Sequence, residues 1–184
     1  MNKLITKANK TILSGQDIKN LTLNTVNVVP YHVLMDTKNI NELFKLSTGE
    51  IARAVVILYE DKKNNGHFTC LIDRRKESGD FEFFDPYGCD HLDEELKFSK
   101  YDTLLLKQSH KHKTLSQLIN ESGYNSFCSH YKFQKDNENI NTCGRHCAVR
   151  IRLMDLPIKK YSEIIKPETA DNVVTMLTIL ETDF

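Results

Sequence analysis

The sequence is poor in the features that mark membrane proteins, repeat arrays and flexible linkers. It has four prolines and seven glycines among 184 residues, and it shows neither repeats nor a low-complexity stretch. No apolar run approaches the roughly 20 residues of a membrane-spanning helix. Residues 1–10 contain lysines but lack the apolar segment of a signal peptide. These absences predict a soluble, intracellular protein without a membrane partner.

The cysteine and charge counts argue against two further classes. Five cysteines, an odd number without a CxxC pair, predict free thiols in a reducing compartment and not a disulfide framework. The 25 basic and 25 acidic residues cancel, so the composition does not indicate a dominant nucleic-acid partner. Local basic clusters are usually solvated surfaces, although a weak nucleic-acid contact stays open for them. The clusters are Arg145, Arg150, Arg152, Lys159 and Lys160, and residues 110–113.

The length predicts one domain, residues 1–184, that is large enough to bury a core. Residues 51–156 form its predicted catalytic core and residues 157–184 a C-terminal helical segment, whereas residues 1–50 are less regular. The predicted fold class is α+β, with a central, mixed, hairpin-rich β-sheet flanked by helices. Periodicity places strands at residues 51–60, 67–73, 80–85, 101–107 and within 124–133, and helices at 39–46, 114–121, 143–153 and 169–181.

Three separated segments carry the residue types of a thiol protease. His67 comes first, Asp85 follows on the next predicted strand, and Cys143 comes last with Gln134 shortly before it. Cys143 would be the nucleophile, His67 its base and Asp85 the group that orients the base. Gln134 and the Cys143 backbone N–H would stabilise the oxyanion. This order is the reverse of that in papain-like enzymes, where the cysteine precedes the histidine.

The predicted hairpin brings the histidine and the carboxylate together. If its loop is centred at Lys76, His67 and Asp85 lie opposite each other at one end of the sheet. Opposed side chains of an antiparallel pair lie about 5 Å apart at Cβ. Because that distance lets a carboxylate hold an imidazole N–H, the hairpin predicts a fixed histidine tautomer.

The predicted helix at residues 143–153 suits a reactive thiol. Thr142 is its predicted N-cap, so Cys143 occupies the first turn, where the helix dipole favours a thiolate. Gly144 would let a substrate backbone approach closely. His146 is predicted to contact solvent or substrate. A buried stripe at helical spacing would anchor the helix, formed by Cys147, Ile151 and Met154.

These residues resemble those of the adenain-like cysteine proteases, the clan of the adenovirus maturation protease and the SUMO-deconjugating enzymes. The likeness covers residues 51–156 and rests on His67-Phe68, Asp85, Gln134 and Cys143-Gly144. Residues 84–88, Phe-Asp-Pro-Tyr-Gly, are especially close to the adenain version, which has glutamate at the acid position. Phe68 stands where the clan usually has tryptophan, and the spacing from Gln134 to Cys143 is longer than is common.

The resemblance implies a cysteine endopeptidase with its nucleophile at the N-terminus of a core helix. Because this chain is compact, it most resembles, within the clan, the maturation proteases of virophages and Maverick-type elements. This implies cleavage of viral capsid and other structural proteins, at small-residue or glycine-containing sites, in the host cytoplasm (the virus factory) and the virion. The residues themselves require no cofactor and no metal. A peptide or DNA activator is possible by resemblance, with Cys128 as a candidate disulfide partner for such a peptide.

Several alternatives stay open at the level of the sequence. A protease for ubiquitin-like conjugates would share every catalytic residue. A catalytically inactive interaction module is a second alternative. Within the protease interpretation, Asn141 could share the oxyanion role with Gln134. A zinc-binding module is a third, with candidate ligands Cys143, His146, Cys147, Cys128 and His130.

Overall fold

The computed structural model describes residues 2–108 and 113–181. Most of the predicted basic run at residues 110–113 therefore lies outside the described residues. Within the described ranges, no helix is long and apolar enough to cross a membrane.

The described residues form one five-stranded sheet in the order β1-β2-β3-β4-β5. The central strands β2, β3 and β4 are antiparallel neighbours, while β1 and β5 join the two edges in parallel. The α+β class with a mixed, hairpin-rich sheet is therefore confirmed. The strands are β1 (Asn27–Pro30), β2 (Ala54–Lys62), β3 (Asn65–Asp73), β4 (Asp80–Phe84) and β5 (Asn125–Cys128).

Helices cover both faces of this sheet. The α-helices of the described residues are α1 (Asn2–Asn9), α2 (Gly15–Leu21), α3 (Lys100–Gln108), α4 (Leu115–Glu121), α5 (Cys143–Arg152), α6 (Ile158–Ile164) and α7 (Ala170–Thr178). Short 3₁₀ turns occur at Tyr31–Met35, Ile40–Phe44, Glu94–Lys97 and Ile179–Glu181.

Side chains alternate along β3 and β4 and so build two apolar cores. Phe68, Cys70 and Ile72 face one core, which contains α5. Leu71 and Phe83 face the other core, which contains the 3₁₀ turns and α4. The predicted stripe on α5 lies in the first core, with Cys147 and Ile151 buried and Met154 packed against them. Two-sided burial explains why β2 reads as an almost continuous apolar run.

The predicted strand at residues 101–107 is wrong, because this segment forms α3 (Lys100–Gln108). A short apolar run cannot distinguish a strand from a buried helix by periodicity alone. Here the first helical turn carries Asp102, a residue type that favours helix N-termini. The Asp102 carboxylate accepts the Glu60 backbone N–H at 2.6 Å, so it fixes the helix against the end of β2.

The β3–β4 hairpin has a different register from the predicted one. Cys70 pairs with Phe84, so the hairpin is centred at Glu77 and not at Lys76. The shift moves the pairing by two residues, and an even shift leaves every side chain on its face. The predicted proximity of His67 and Asp85 therefore survives as a diagonal relation.

Residues 1–50 are more ordered than the sequence predicted. They form α1, α2 and β1 besides the 3₁₀ turn Ile40–Phe44, which replaces the predicted helix at 39–46. Ser14 and Asp17 form a capping box at the start of α2, with Asp17 accepting the Ser14 N–H at 2.7 Å. This serine-to-acid spacing is a recognisable helix start in the sequence.

Two arginines of the predicted solvated basic cluster are buried. Arg150 donates to Glu82 through Nε and Nη2 at 2.8 Å, and Arg145 donates to Thr178 Oγ1 at 2.7 Å. Arg74 also donates to Glu82, at 2.9 and 3.0 Å. The arginines of α5 thus hold the interior together, and neither Arg145 nor Arg150 belongs to a basic surface.

Candidate active site

His67 and Asp85 meet at the end of the β3–β4 hairpin. His67 Nε2 lies 2.9 Å from Asp85 Oδ1, and the same oxygen accepts the Tyr87 backbone N–H at 2.8 Å. Asp85 is almost completely buried. The Tyr87 ring stacks on the imidazole with centroids 4.8 Å apart. The carboxylate and the stacked ring together fix the orientation of His67.

Cys143 brings its thiol to the other side of this imidazole. The Cys143 thiol lies close enough to His67 for the two side chains to shift each other's pKa. Since Nε2 faces Asp85, Nδ1 is the nitrogen left for the thiol. Burial by itself raises the pKa of Cys143, but His67 and hydrogen bonds with the Phe68 and Gly144 backbone lower it overall. Burial lowers the pKa of His67, yet Asp85 and Cys143 together raise it well above its usual range. The site therefore favours a thiolate–imidazolium pair.

The first turn of α5 is fastened by a carboxylate from α7. Asp171 Oδ1 accepts the Thr142 hydroxyl at 2.6 Å and faces His146 Nε2 at 3.1 Å. Its other oxygen accepts the Lys135 backbone N–H at 3.2 Å. Burial is the main reason that the pKa of His146 is lowered. At neutral pH this histidine is therefore a neutral hydrogen-bond donor. These contacts hold the residues on both sides of Cys143.

Gln134 reaches the site through Tyr87. Its Nε2 donates to Tyr87 Oη at 3.0 Å and to the Ile140 carbonyl at 3.3 Å. Its own backbone N–H donates to the Pro86 carbonyl at 2.8 Å. Gln134 lies in the loop between β5 and α5, because β5 ends at Cys128. Both amide hydrogens of Gln134 are thus engaged, and the Tyr87 hydroxyl accepts one of them.

A cavity of about 510 Å³ opens beside these residues. His67, Tyr87 and Gln134 form one part of its lining. The charged groups of the lining are Asp61, Glu95, Lys132 and Asp136. Burial and Asp85 raise the pKa of Glu95, while His67 lowers it. A second cavity, of about 350 Å³, is lined by Phe68 together with Gly15, Val28 and Leu58.

Two predictions about α5 are corrected by the contacts, those for Gly144 and His146, whereas the predicted N-cap position of Thr142 is confirmed. A Cβ at Gly144 would lie 3.0 Å from Ile18 Cδ1, so the glycine admits α2 and not a substrate backbone. Thr142 stands at the N-cap position, but its hydroxyl binds Asp171 instead of capping α5. His146 is fully buried and contacts neither solvent nor a surface where substrate could lie.

The alternative zinc ligands do not assemble into one site within the described ranges. Cys147 Sγ donates to the Phe68 carbonyl in the core, and His146 faces Asp171. Exposed His130 lies 3.3 Å from Asp90. Cys128 lies beside the buried thiol of Cys89 and raises its pKa. All five cysteines lie in the described part of the chain, and all are free thiols.

The sequence reasoning missed three groups at this site. Tyr87 lay inside the recognised segment at residues 84–88, and a hydroxyl two residues after the acid was the available signal. The sequence held no signal for Asp171 and Glu95. They approach the site only through the packing of α7 and of the 3₁₀ turn Glu94–Lys97.

Comparison with known proteins gives the chain a viral relative. No protein-family model matches it. "Uncharacterized protein V9" of Sputnik virophage is 32% identical over 176 residues, which cover 92% of this chain and 95% of that protein. The chain belongs to the family of this virophage protein. Among solved structures, the central domain of the uncharacterized Lpg1148 protein from Legionella pneumophila aligns with 92% of this chain and 95% of that one. The TM-score of that alignment is 0.43 and the sequence identity 15%.

Proposed function

We propose that this chain is an adenain-like cysteine endopeptidase that cleaves capsid or other structural proteins of a virophage during virion maturation. The observation that carries the proposal is the contact of Cys143 with a histidine that a buried carboxylate holds at 2.9 Å. The opposite pKa shifts of Cys143 and His67 support it, because they favour a nucleophile that is ionised before substrate arrives. The virophage relative supports the virophage setting of the proposal.

The proposed reaction proceeds through a thioester. The Cys143 thiolate attacks the scissile carbonyl carbon, and the His67 imidazolium gives its Nδ1 proton to the leaving amine as the C–N bond breaks. His67, now neutral, takes a proton from water, whose oxygen attacks the thioester. Collapse of the second intermediate releases the carboxylic acid product and regenerates the thiolate–imidazolium pair. Asp85 keeps the imidazole oriented throughout.

Two donors are proposed for the oxyanion. Cys143 is the first residue of α5, where backbone N–H groups lack partners within the helix. The second donor is the Tyr87 hydroxyl, which Gln134 orients by donating to its oxygen at 3.0 Å. Gln134 then acts as a positioning residue, and Tyr87 touches the reacting atoms in its place.

Replacement of Tyr87 by phenylalanine tests this assignment. The variant keeps the ring on His67 and loses only the hydroxyl, so kcat should fall about 100-fold or more with a small change in KM. Steady-state kinetics on a cleaved peptide measure this effect. Tyr131→Phe removes a hydroxyl from a partly exposed tyrosine and should leave kcat unchanged. Equal rates for wild type and Tyr87→Phe would return the oxyanion role to Gln134 or Asn141.

The lining of the large cavity bears on substrate choice. The cavity lining has three carboxylates and one lysine, Lys132. This charge favours a neutral or basic substrate segment over an acidic one. The preference for small residues or glycine at the cleaved bond stays an expectation from the family resemblance. We place the reaction in the reducing cytoplasm of the host, in the virus factory and the assembling virion, where the free thiols would persist.

Fragment analysis by mass spectrometry tests the proposed function. Wild type, Cys143→Ala and Cys128→Ala are each incubated with virophage capsid protein and, separately, with a ubiquitin-like fusion. A capsid cut that is lost in Cys143→Ala and kept in Cys128→Ala is the expected result. Cleavage of the fusion alone would overturn the maturation role in favour of deconjugation. If neither substrate is cut, with DNA and an activating peptide added as well, the chain is not a peptidase.

A further inference from the structure

A second cluster of ligand-type side chains lies outside the Cys143 site. It joins His32 of the 3₁₀ turn Tyr31–Met35, Glu60 near the end of β2 and Asp102 of α3. Glu60 is 1% exposed and Asp102 is fully buried, whereas the His32 side chain is 32% exposed. The cluster therefore has two interior carboxylates and one imidazole that reaches the surface.

Each carboxylate of this cluster is fixed through one oxygen. Asp102 Oδ2 accepts the Glu60 backbone N–H at 2.6 Å, and Glu60 Oε1 accepts the Asn64 backbone N–H. The remaining oxygens, Glu60 Oε2 and Asp102 Oδ1, are buried and make no hydrogen bond to any described residue. The same holds for His32 Nδ1. These two carboxylate oxygens and His32 Nδ1 thus converge on one point, where they face one another.

The spacing of these atoms suits a bound cation. His32 Nδ1 lies 3.0 Å from Glu60 Oε2 and 3.6 Å from Asp102 Oδ1. Ligands at about 2.1 Å from a tetrahedral zinc ion lie roughly 3.4 Å from each other. A local register shift between Glu60 and Lys62 accompanies this arrangement, and such bulges re-aim side chains near functional sites.

Charge balance argues in the same direction. Ionised Glu60 and Asp102 would place two negative charges in the interior beside His32 Nδ1. Uncompensated buried charge is unfavourable in proteins. A divalent cation bound by both carboxylates would neutralise them. One imidazole with two carboxylates is a donor set that zinc accepts, whereas magnesium and calcium prefer oxygen ligands alone.

We propose that His32, Glu60 and Asp102 bind a divalent transition-metal ion, with zinc as the fitting member, and that a water occupies the remaining position. The ion would tie three elements together. Tyr59, next to Glu60, and Ser99, just before α3, line the 510 Å³ cavity. The metal would therefore stiffen one wall of that cavity while taking no part in the chemistry at Cys143.

Zinc titration calorimetry and metal analysis on chelator-treated protein test this site. The Cys143→Ala background removes a thiolate that could itself bind zinc. One zinc per chain is expected, with a rise in melting temperature on its addition. Glu60→Gln and Asp102→Asn should each weaken zinc binding more than about 100-fold, since they alter direct ligands. Both amides retain an acceptor for the backbone N–H, and His32→Ala provides a third variant at a partly exposed position.

His130→Ala is the matched control, because His130 and Asp90 form an exposed pair at 3.3 Å. It should bind zinc like its parent. Zinc binding that survives in Glu60→Gln and Asp102→Asn would place the ion elsewhere, such as at His67, Asp85 and Glu95, and overturn the proposal. Binding only at millimolar zinc would also overturn the proposal. The three side chains would then interact as an ion pair or share a proton. Since the readout is metal content, failure here is separate from failure of the proposed peptidase.

Discussion

At the scale of single residues, the charge on Cys143 depends on groups from several parts of the chain. His67 comes from β3, Asp85 follows β4, and the Gly144 backbone belongs to the start of α5. Burial alone would favour a neutral thiol, and the neighbouring groups outweigh it. The lowered pKa of Cys143 is therefore a property of the assembled fold and not of the cysteine alone.

The pH dependence of alkylation measures this property without a substrate. The pKa of Cys143 is lowered, so its reaction with iodoacetamide should begin below the usual thiol range of about 8–9. Asp85→Asn weakens the imidazolium, so the midpoint of the alkylation profile should move to higher pH. Peptidase activity needs the thiolate together with the imidazolium. It should therefore rise through the pKa of Cys143 and fall through the raised pKa of His67.

Mass spectrometry of the alkylated site separates Cys143 from the other thiols. Cys128 is the matched internal reference, because it is a partly exposed thiol in the same molecule. Its profile should be the same in wild type and Asp85→Asn. An unchanged Cys143 midpoint in Asp85→Asn would show that the carboxylate does not act through His67.

At the scale of secondary-structure elements, the position of α5 depends on α7. Asp171 accepts hydrogen bonds from Thr142, from His146 and from the Lys135 backbone. In all three contacts the Asp171 carboxylate is the acceptor. An asparagine side chain would place its N–H group against one of these donors, so the contacts favour aspartate over asparagine.

Asp171→Asn should lower the free energy of unfolding by about 1–3 kcal/mol, the cost of leaving a buried donor unpaired. Chemical denaturation measures this loss. If Asp171 also positions Cys143, the alkylation midpoint of that thiol should shift in the folded variant. Glu168→Gln, an exposed change just before α7, should alter neither quantity. A midpoint that stays fixed would leave Asp171 with a purely structural role.

The elements also show how far the sequence could predict this molecule. Alternation and apolar runs located β2, β3 and β4, and the order of His67, Asp85 and Cys143 located the site. The apolar run of α3 was predicted as a strand because a run of this length does not distinguish the two structures. The contact of Asp102 with the Glu60 backbone, which fixes the helix, is a tertiary one that leaves no local pattern. Asp171 could not be predicted, since α7 approaches α5 only through packing. Local patterns therefore gave the site residues, and long-range packing gave their supports.

At the scale of the whole molecule, one carboxylate joins elements that are far apart in the sequence. Glu82 of β4 binds Arg74 of the hairpin loop and Arg150 of α5. Glu82 and Arg150 are nearly or fully buried, and the Arg150 guanidinium also lies 5.0 Å from the centre of the Tyr161 ring. The sheet, the hairpin loop and α5 thus share one ionic network in the interior, and α6 places an aromatic ring against it.

Glu82→Gln should destabilise the fold by about 3–5 kcal/mol, because it leaves two guanidinium groups without their buried counter-charge. Glu77→Gln is the matched control: Glu77 also pairs with Arg74, at 3.0 Å, but its side chain is 49% exposed. The exposed change should cost less than about 1 kcal/mol. Urea denaturation measures the loss of unfolding free energy in both variants. Equal losses would show that the buried network contributes little to stability.

The fastening of Cys143 by α7 has a consequence for biosynthesis. A ribosome makes Cys143 before Asp171, and domains generally fold as units once their parts have emerged. A growing chain that ends at α5 therefore carries its thiol without the carboxylate that holds Thr142 and His146. The order of synthesis thus means that the N-terminus of α5 gains its contacts with Asp171 only after the later helix has been made.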